Sequence, residues 1–193
     1  MKKVALFMAL ALVGAAASAG VNRSELRQLQ NFLNQPAEHA ATNAQALNIT
    51  NLNDPTTWEG ITVVGNNITE IKWKDKKLSG TLDLSGFSAL TTVDVSRNRI
   101  NELTVSGDPV LTELNASRNR ITKIDFSGCP RLSKVSINNN RITEFTLDNV
   151  PLLKNLNVSS NLLAEPVVFA HTRDTELPEQ PPGEPERDRL YCA

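Results

Sequence analysis

Four segments of the chain align without gaps: LTTVDVSRNRI from Leu90, LTELNASRNRI from Leu111, LSKVSINNNRI from Leu132 and LKNLNVSSNLL from Leu153. Their spacing is 21 residues throughout. A unit this short cannot enclose a core of its own, so its apolar side must be covered by the next unit and the chain must stack into a solenoid. Position four of the segments holds Val93, Leu114, Val135 and Leu156, and position six holds Val95, Ala116, Ile137 and Val158. Alternation with a period of two predicts a short strand with these side chains inward. Position nine is Asn98, Asn119, Asn140 and Asn161. The chain must turn there, and the turn leaves backbone groups inside the stack that water cannot reach. A carboxamide has both donors and an acceptor, so one asparagine per coil can satisfy its own turn and the adjoining coil; a structural role is expected for all four.

This L-x-x-L-x-L-x-x-N-x-L frame resembles the leucine-rich repeat family. The second half of each unit repeats a related spacing: Ile100-x-x-Leu103-x-Val105, Ile121-x-x-Ile124-x-Phe126 and Ile142-x-x-Phe145-x-Leu147. With Thr104, Asp125 and Thr146 outward, this predicts a second extended wall rather than a helix. The nested spacing resembles the 21-residue class found mainly in bacterial leucine-rich repeat proteins. The resemblance implies a β-rich solenoid, a right-handed coil of about five turns with parallel strands and a small N-terminal helical cap. Pro109, Pro130 and Pro151, with Gly107 and Gly128 two residues before the first two, punctuate the return to the main strand. Cys129 shares a position with Asp108 and Val150 and reads as a loop residue or half-buried thiol.

The frame sets the domain plan. Residues 1–19 carry Lys2 and Lys3, an apolar run from Val4 to Val13 and Ala17-Ser18-Ala19, the pattern of a secretory signal peptide. The apolar run falls short of the ~20 residues a spanning helix needs, and no transmembrane anchor is expected elsewhere. Residues 20–67 are expected to form the N-terminal cap: Ser24 is a fair helix N-cap, Leu26, Leu29, Phe32 and Leu33 fall on one face, and the helix should stop near Pro36. NDPTTWEGIT, from Asn53, resembles the stretch before the repeats in plant-type leucine-rich proteins, but lacks the paired cysteines, with Val63 and Val64 where one would stand. Trp58 and Trp73 are then expected in the core. Residues 68–163 hold the repeats, beginning with an imperfect unit in which Lys76 replaces the asparagine and the Leu78–Leu84 stretch has one extra residue. Residues 164–193, with five prolines and seven acidic residues, read as a flexible tail, although Val167 to Ala170 leave a weak C-terminal cap open. LPEQP at Leu177 superficially resembles a Gram-positive LPxTG anchor but lacks the Thr-Gly, the apolar span and the basic end.

Removing the leader leaves 18 basic and 21 acidic residues, a formal charge of −3, which argues against nucleic acid as the main partner. Two cysteines, Cys129 and Cys192, are too few for a disulfide scaffold, and whether they pair is open. The two histidines, His39 and His171, are far apart with no metal-ligand spacing nearby, and no serine has a nucleophile-elbow motif. No catalytic residue, metal or cofactor is expected.

Specificity in such a coil belongs to the outward letters that drift between the fixed ones. Position five reads Lys72, Asp94, Asn115, Ser136 and Asn157; position seven reads Lys74, Ser96, Ser117, Asn138 and Ser159; position eight reads Asp75, Arg97, Arg118, Asn139 and Ser160. Position ten stacks Lys77, Arg99, Arg120 and Arg141. Together with Glu113, the candidate binding residues are Lys72, Lys74, Asp94, Asn115, Asn138, Asn139 and the arginines 97, 99, 118, 120 and 141. The arginines suit a carboxylate, sulfate or phosphate, or else form a solvated edge offset by Glu102 and Glu144. Sequons stand at Asn22, Asn48, Asn67, Asn115 and Asn157. The reading that follows is a secreted or cell-surface protein, periplasmic if the source is Gram-negative, that recognises a protein or glycan without catalysis. A structural spacer without a ligand and an accessory domain of a longer enzyme or adhesin are the alternatives.

Overall fold

A computed structural model describes residues 20–147 and 149–163. The leader, the tail, Cys192, His171 and the LPEQP stretch lie outside the described residues.

The period-two segments form one six-stranded sheet in the order β1 (Ile61–Val64), β2 (Asn67–Lys72), β4 (Thr92–Asp94), β6 (Glu113–Asn115), β8 (Lys134–Ser136) and β10 (Asn155–Asn157). β1 runs antiparallel to β2, and every later pair is parallel. Thr92 pairs with Glu113 and Glu113 with Lys134, one repeat apart, whereas Glu70 pairs with Thr92, one residue further. On the second wall β3 (Ser79–Asp83) pairs with β5 (Arg99–Thr104), and β7 (Lys123–Asp125) with β9 (Glu144–Thr146), all parallel. The register of the first pair shifts between Gly80 and Thr81, where the partner strand passes from Ile100 to Glu102 and leaves Asn101 unpaired. The chain is therefore a two-walled, parallel-strand solenoid.

Between the walls lies one continuous core. Val93, Leu114 and Val135 face Leu103 and Ile124, with Trp73, Phe87 and Phe126 filling the ends and corners. The asparagines close this core at one corner. Asn119 Oδ1 accepts from Ile100 N–H at 3.0 Å, while its Nδ2 donates to Val95 and Ala116 carbonyls at 3.0 and 3.1 Å. Asn140 does the same with Ile121, Ala116 and Ile137, and Asn161 with Ile142, Ile137 and Val158. Asn98 reaches back to Lys76 and Leu78 amides and to the Trp73 and Val95 carbonyls. Each amide thus stitches its coil to the preceding one through groups that stacking has removed from water.

The residues before the repeats cover the first coil. α1 (Arg23–Leu33) buries Leu29, Phe32 and Leu33, and Phe32 stacks on Trp73 with centroids 6.0 Å apart. Its N-cap is Asn22, whose Oδ1 accepts from Ser24 N–H; Ser24, the expected cap, instead lies in the first turn, because the carboxamide two residues earlier reaches the free amide. Among the described residues, β3 has an edge with no strand beside it, and side-chain amides take a strand's place. Gln35 accepts from Thr81 N–H and donates to Thr81 O, and Asn43, in α2 (Asn43–Ala46), does the same at Ser79. Trp58 and Trp73 are both buried, with their indole N–H groups on the Asn51 and Glu59 carbonyls.

At the turns back to the main sheet, one column runs through Phe87, Asp108 and Cys129. Gly86, Gly107 and Gly128 precede these residues at positive φ, and Gly128 lies so close to Gly107 that a Cβ would meet its backbone at 2.9 Å. Cys129 is fully buried rather than half-buried, and its thiol donates to Val105 O at 3.0 Å. Asp108 is also fully buried. Its Oδ1 accepts from Phe87 N–H at 2.7 Å, and its Oδ2 meets no donor. Burial, with the charges of Asp83 and Glu25 nearby, pushes its pKa from 3.8 to about 8.

Two outcomes follow. Asn119→Ala strands a buried amide and two carbonyls and is expected to cost roughly 2–4 kcal/mol in urea unfolding, with a smaller loss for the half-buried Asn161→Ala. For Asp108 the folded state keeps a proton that the unfolded chain releases, so its contribution to stability is full below about pH 4 and is lost as pH rises toward about 8. Asp108→Asn should flatten that fall and raise Tm at pH 8, read by thermal melts across this range.

Candidate functional site

The outward strand positions divide into two classes. Asp94 Oδ1 accepts from Ser96 N–H and Oγ at 3.0 and 2.6 Å, and Asn115 and Asn157 accept in the same way from Ser117 and Ser159. Asp83 with Ser85 and Asp125 with Ser127 repeat the turn on the second wall. These side chains end their strands by satisfying their own backbone. Two of the sequons, at Asn115 and Asn157, are thus the asparagine form of a strand-end turn that elsewhere uses aspartate. The recurring Asp-x-Ser was visible in the sequence and would have revealed it. Ser96, expected outward, is buried by this bond. Lys72 pairs with Glu70 at 2.7 Å; Lys74 and Glu113 are exposed, and Asn138 is half-buried.

The free charge sits instead at the corner that follows the strands. Position eight is left-handed in every coil: Asp75, Arg97, Arg118, Asn139 and Ser160 have φ between 54 and 59°. Non-glycine residues rarely adopt this conformation, and Asn or Asp do so at least cost. Arg97 and Arg118 therefore occupy a backbone that favours a different residue. They are exposed, as are Arg99, Arg120 and Arg141, each directly after a buried asparagine. Among the described residues, Arg97, Arg118, Arg120 and Arg141 make no ion pair, and only Arg99 has an acidic partner, Glu38. Glu102 and Glu144 do not offset this row as expected. Their strand carries them along the second wall, where Glu102 accepts from Thr81 Oγ1 and Glu144 pairs with Lys123 at 3.0 Å.

One end of the row opens into a cavity of about 290 Å³ lined by Glu38, His39, Lys77, Arg97, Asn98 and Arg99. Glu38 is fixed at both ends. Its N–H donates to Lys77 O at 3.2 Å, and its carboxylate, largely shielded from water, engages Arg99 and lies 3.2 Å from His39 Nε2. Lys77 pairs with exposed Asp75 at 3.0 Å, while Asn98 spends its amide on the coil below. The fold thus brings Arg97 and Arg99 together with Lys77 and places Lys72 and Lys74 on the strand face. Glu38 escaped the sequence reading because it lies in a non-periodic loop, PAEH, with nothing in its spacing to link it to the arginines.

No group of three or more His, Cys, Asp or Glu that could hold a metal occurs among the described residues, and no helix there is long and apolar enough to cross a membrane. Residues 109–151 match the family model described as Leucine Rich repeats (2 copies). No curated protein matches the chain. Among solved structures, the crystal structure of the BIR2 ectodomain from Arabidopsis thaliana is similar in fold, with a TM-score of 0.52 and 18% identity over 74% of this chain and 82% of that one.

Proposed function

We propose that this leucine-rich repeat coil is a noncatalytic recognition module that binds an extracellular or cell-surface partner, protein or glycan, through its outward positions. The observation that carries the reading is the corner row. Five arginines project beside a buried ladder, four of them without an acidic partner among the described residues, and two stand on left-handed backbone where asparagine would be less strained. A solvated, purely structural edge gives no reason for that choice. The rigid stack below fixes the spacing of the guanidinium groups at ~4.8 Å per coil, so a partner meets a preformed array. The leader at 1–19, the cap at 20–67, the repeats at 68–163 and the tail at 164–193 belong to this reading, as does export from the cytoplasm. The strand face favours the alternative in one respect: its Asp94, Asn115 and Asn157 side chains are already satisfied, as in a spacer that has no ligand.

The deciding experiment is capture from extracellular material by the immobilised chain. The comparison is with a variant carrying Arg118→Asn, Arg120→Ser and Arg141→Ser, and with a strand-face variant carrying Lys72→Ser, Lys74→Ser and Glu113→Ser. A partner retained by the native chain and reduced at least about tenfold by the corner variant supports recognition. An identical capture profile for all three proteins supports the spacer.

A further inference from the structure

The cavity at the end of the arginine row is built differently from the row itself. Its walls come from two parts of the chain, the loop at Glu38 and His39 and the corners of the first two coils, and the loop is pinned to Lys77 by a backbone hydrogen bond. Three cations, Lys77, Arg97 and Arg99, face two carboxylates, Glu38 and Asp75, leaving one net positive charge before His39 is counted. The partners are unequally committed. Arg99 is held by the shielded Glu38, Lys77 by an Asp75 that water can replace, and Arg97 by no ion pair among the described residues. Arg97 and Lys77 both project from left-handed backbone, with φ of 59 and 60°, on either side of the buried corner.

We propose that this cavity takes the carboxylate of an aspartate or glutamate side chain presented by a peptide partner, with Arg97 and Lys77 as its contacts and Glu38 holding Arg99 as the back wall. The proposal deepens the recognition reading and rests on it. Two observations favour a peptide carboxylate over a sulfated or neutral glycan. The site already pairs a glutamate carboxylate with one of its arginines, so the chemistry of the pair is present in the fold. Among the described residues, Trp58, Trp73, Phe32, Phe87 and Phe126 are all buried, so none of these rings offers a face on which a sugar could stack. A volume of about 290 Å³ admits one acidic side chain, and the rest of an acidic segment would continue along Arg118, Arg120 and Arg141.

The test is titration of the full chain with a fluorescent hexaglutamate peptide at low salt, with a sulfated tetrasaccharide as the second probe. Lys77→Asn with Arg97→Asn is the informative variant, because Asn139 holds the left-handed position of Arg97 in a later coil and asparagine also suits the left-handed backbone of Lys77, so the fold should survive. It should weaken hexaglutamate binding at least about fivefold, while Arg131→Ala, an exposed cation at a different turn, leaves it unchanged. Glu38→Gln removes the internal competitor and should tighten binding, a gain that a damaged fold would not produce. Hexaglutamate binding indifferent to Lys77 and Arg97, or not tightened by Glu38→Gln, overturns the proposal, as does a tetrasaccharide that binds through these residues when the peptide does not. Partner capture that survives the Lys77/Arg97 variant but is lost with the corner variant would overturn the pocket alone and leave the recognition reading standing.

Discussion

The buried carboxamide at the corner of each coil is the interaction on which the rest of the molecule depends. A parallel strand of three residues makes too few ladder hydrogen bonds to hold a coil in place, and a turn inside a stack exposes more backbone than it satisfies. Asn98, Asn119, Asn140 and Asn161 solve both problems with one side chain. Each Oδ1 accepts an amide of the coil before it, and each Nδ2 bridges carbonyls of two coils. No apolar residue at this position could do this, because the cost there is of unpaired polar groups rather than of exposed hydrocarbon.

That interaction also determines where charge can be displayed. To swing the asparagine inward, the backbone turns through a left-handed residue immediately before it, and the residue before it and the one after it are thrown outward. The corner is therefore a line along the coil where side chains are both rigidly spaced and free of strand-end bonding. Arginines occupy half of it, at 97, 99, 118, 120 and 141. The strand face, by contrast, spends its aspartate, asparagine and serine side chains on its own turns. Display and adhesion fall on adjacent residues within a unit, and the same side-chain type, asparagine, serves adhesion at position nine and turn closure at position five.

Much of this was legible because a 21-residue period repeats its own evidence. The inward strand residues and the second strand-like wall follow from spacing alone, since a period of two admits only one arrangement in a stack. What escaped was set by tertiary position. Glu38 pairs with Arg99, 61 positions further along the sequence, a contact with no periodic signature. Cys129 reads as a loop residue or half-buried thiol at a position it shares with Asp108, yet both side chains are fully buried in a column that also holds Phe87. Glu102 and Glu144 were close to the arginines in sequence and are carried away from them by the second wall. Sequence distance within a coil is a poor guide to charge pairing, because the walls face opposite ways.

The most direct test of the central claim is amide hydrogen exchange at Ile100 and Ile121, whose N–H groups donate to Asn119 and Asn140. If the carboxamides hold the coils together, these amides exchange only when the whole stack opens, with a free energy equal to that of global unfolding in denaturant. Exchange at these two amides through a local opening of much lower free energy, while the strand amides remain protected, would contradict the account.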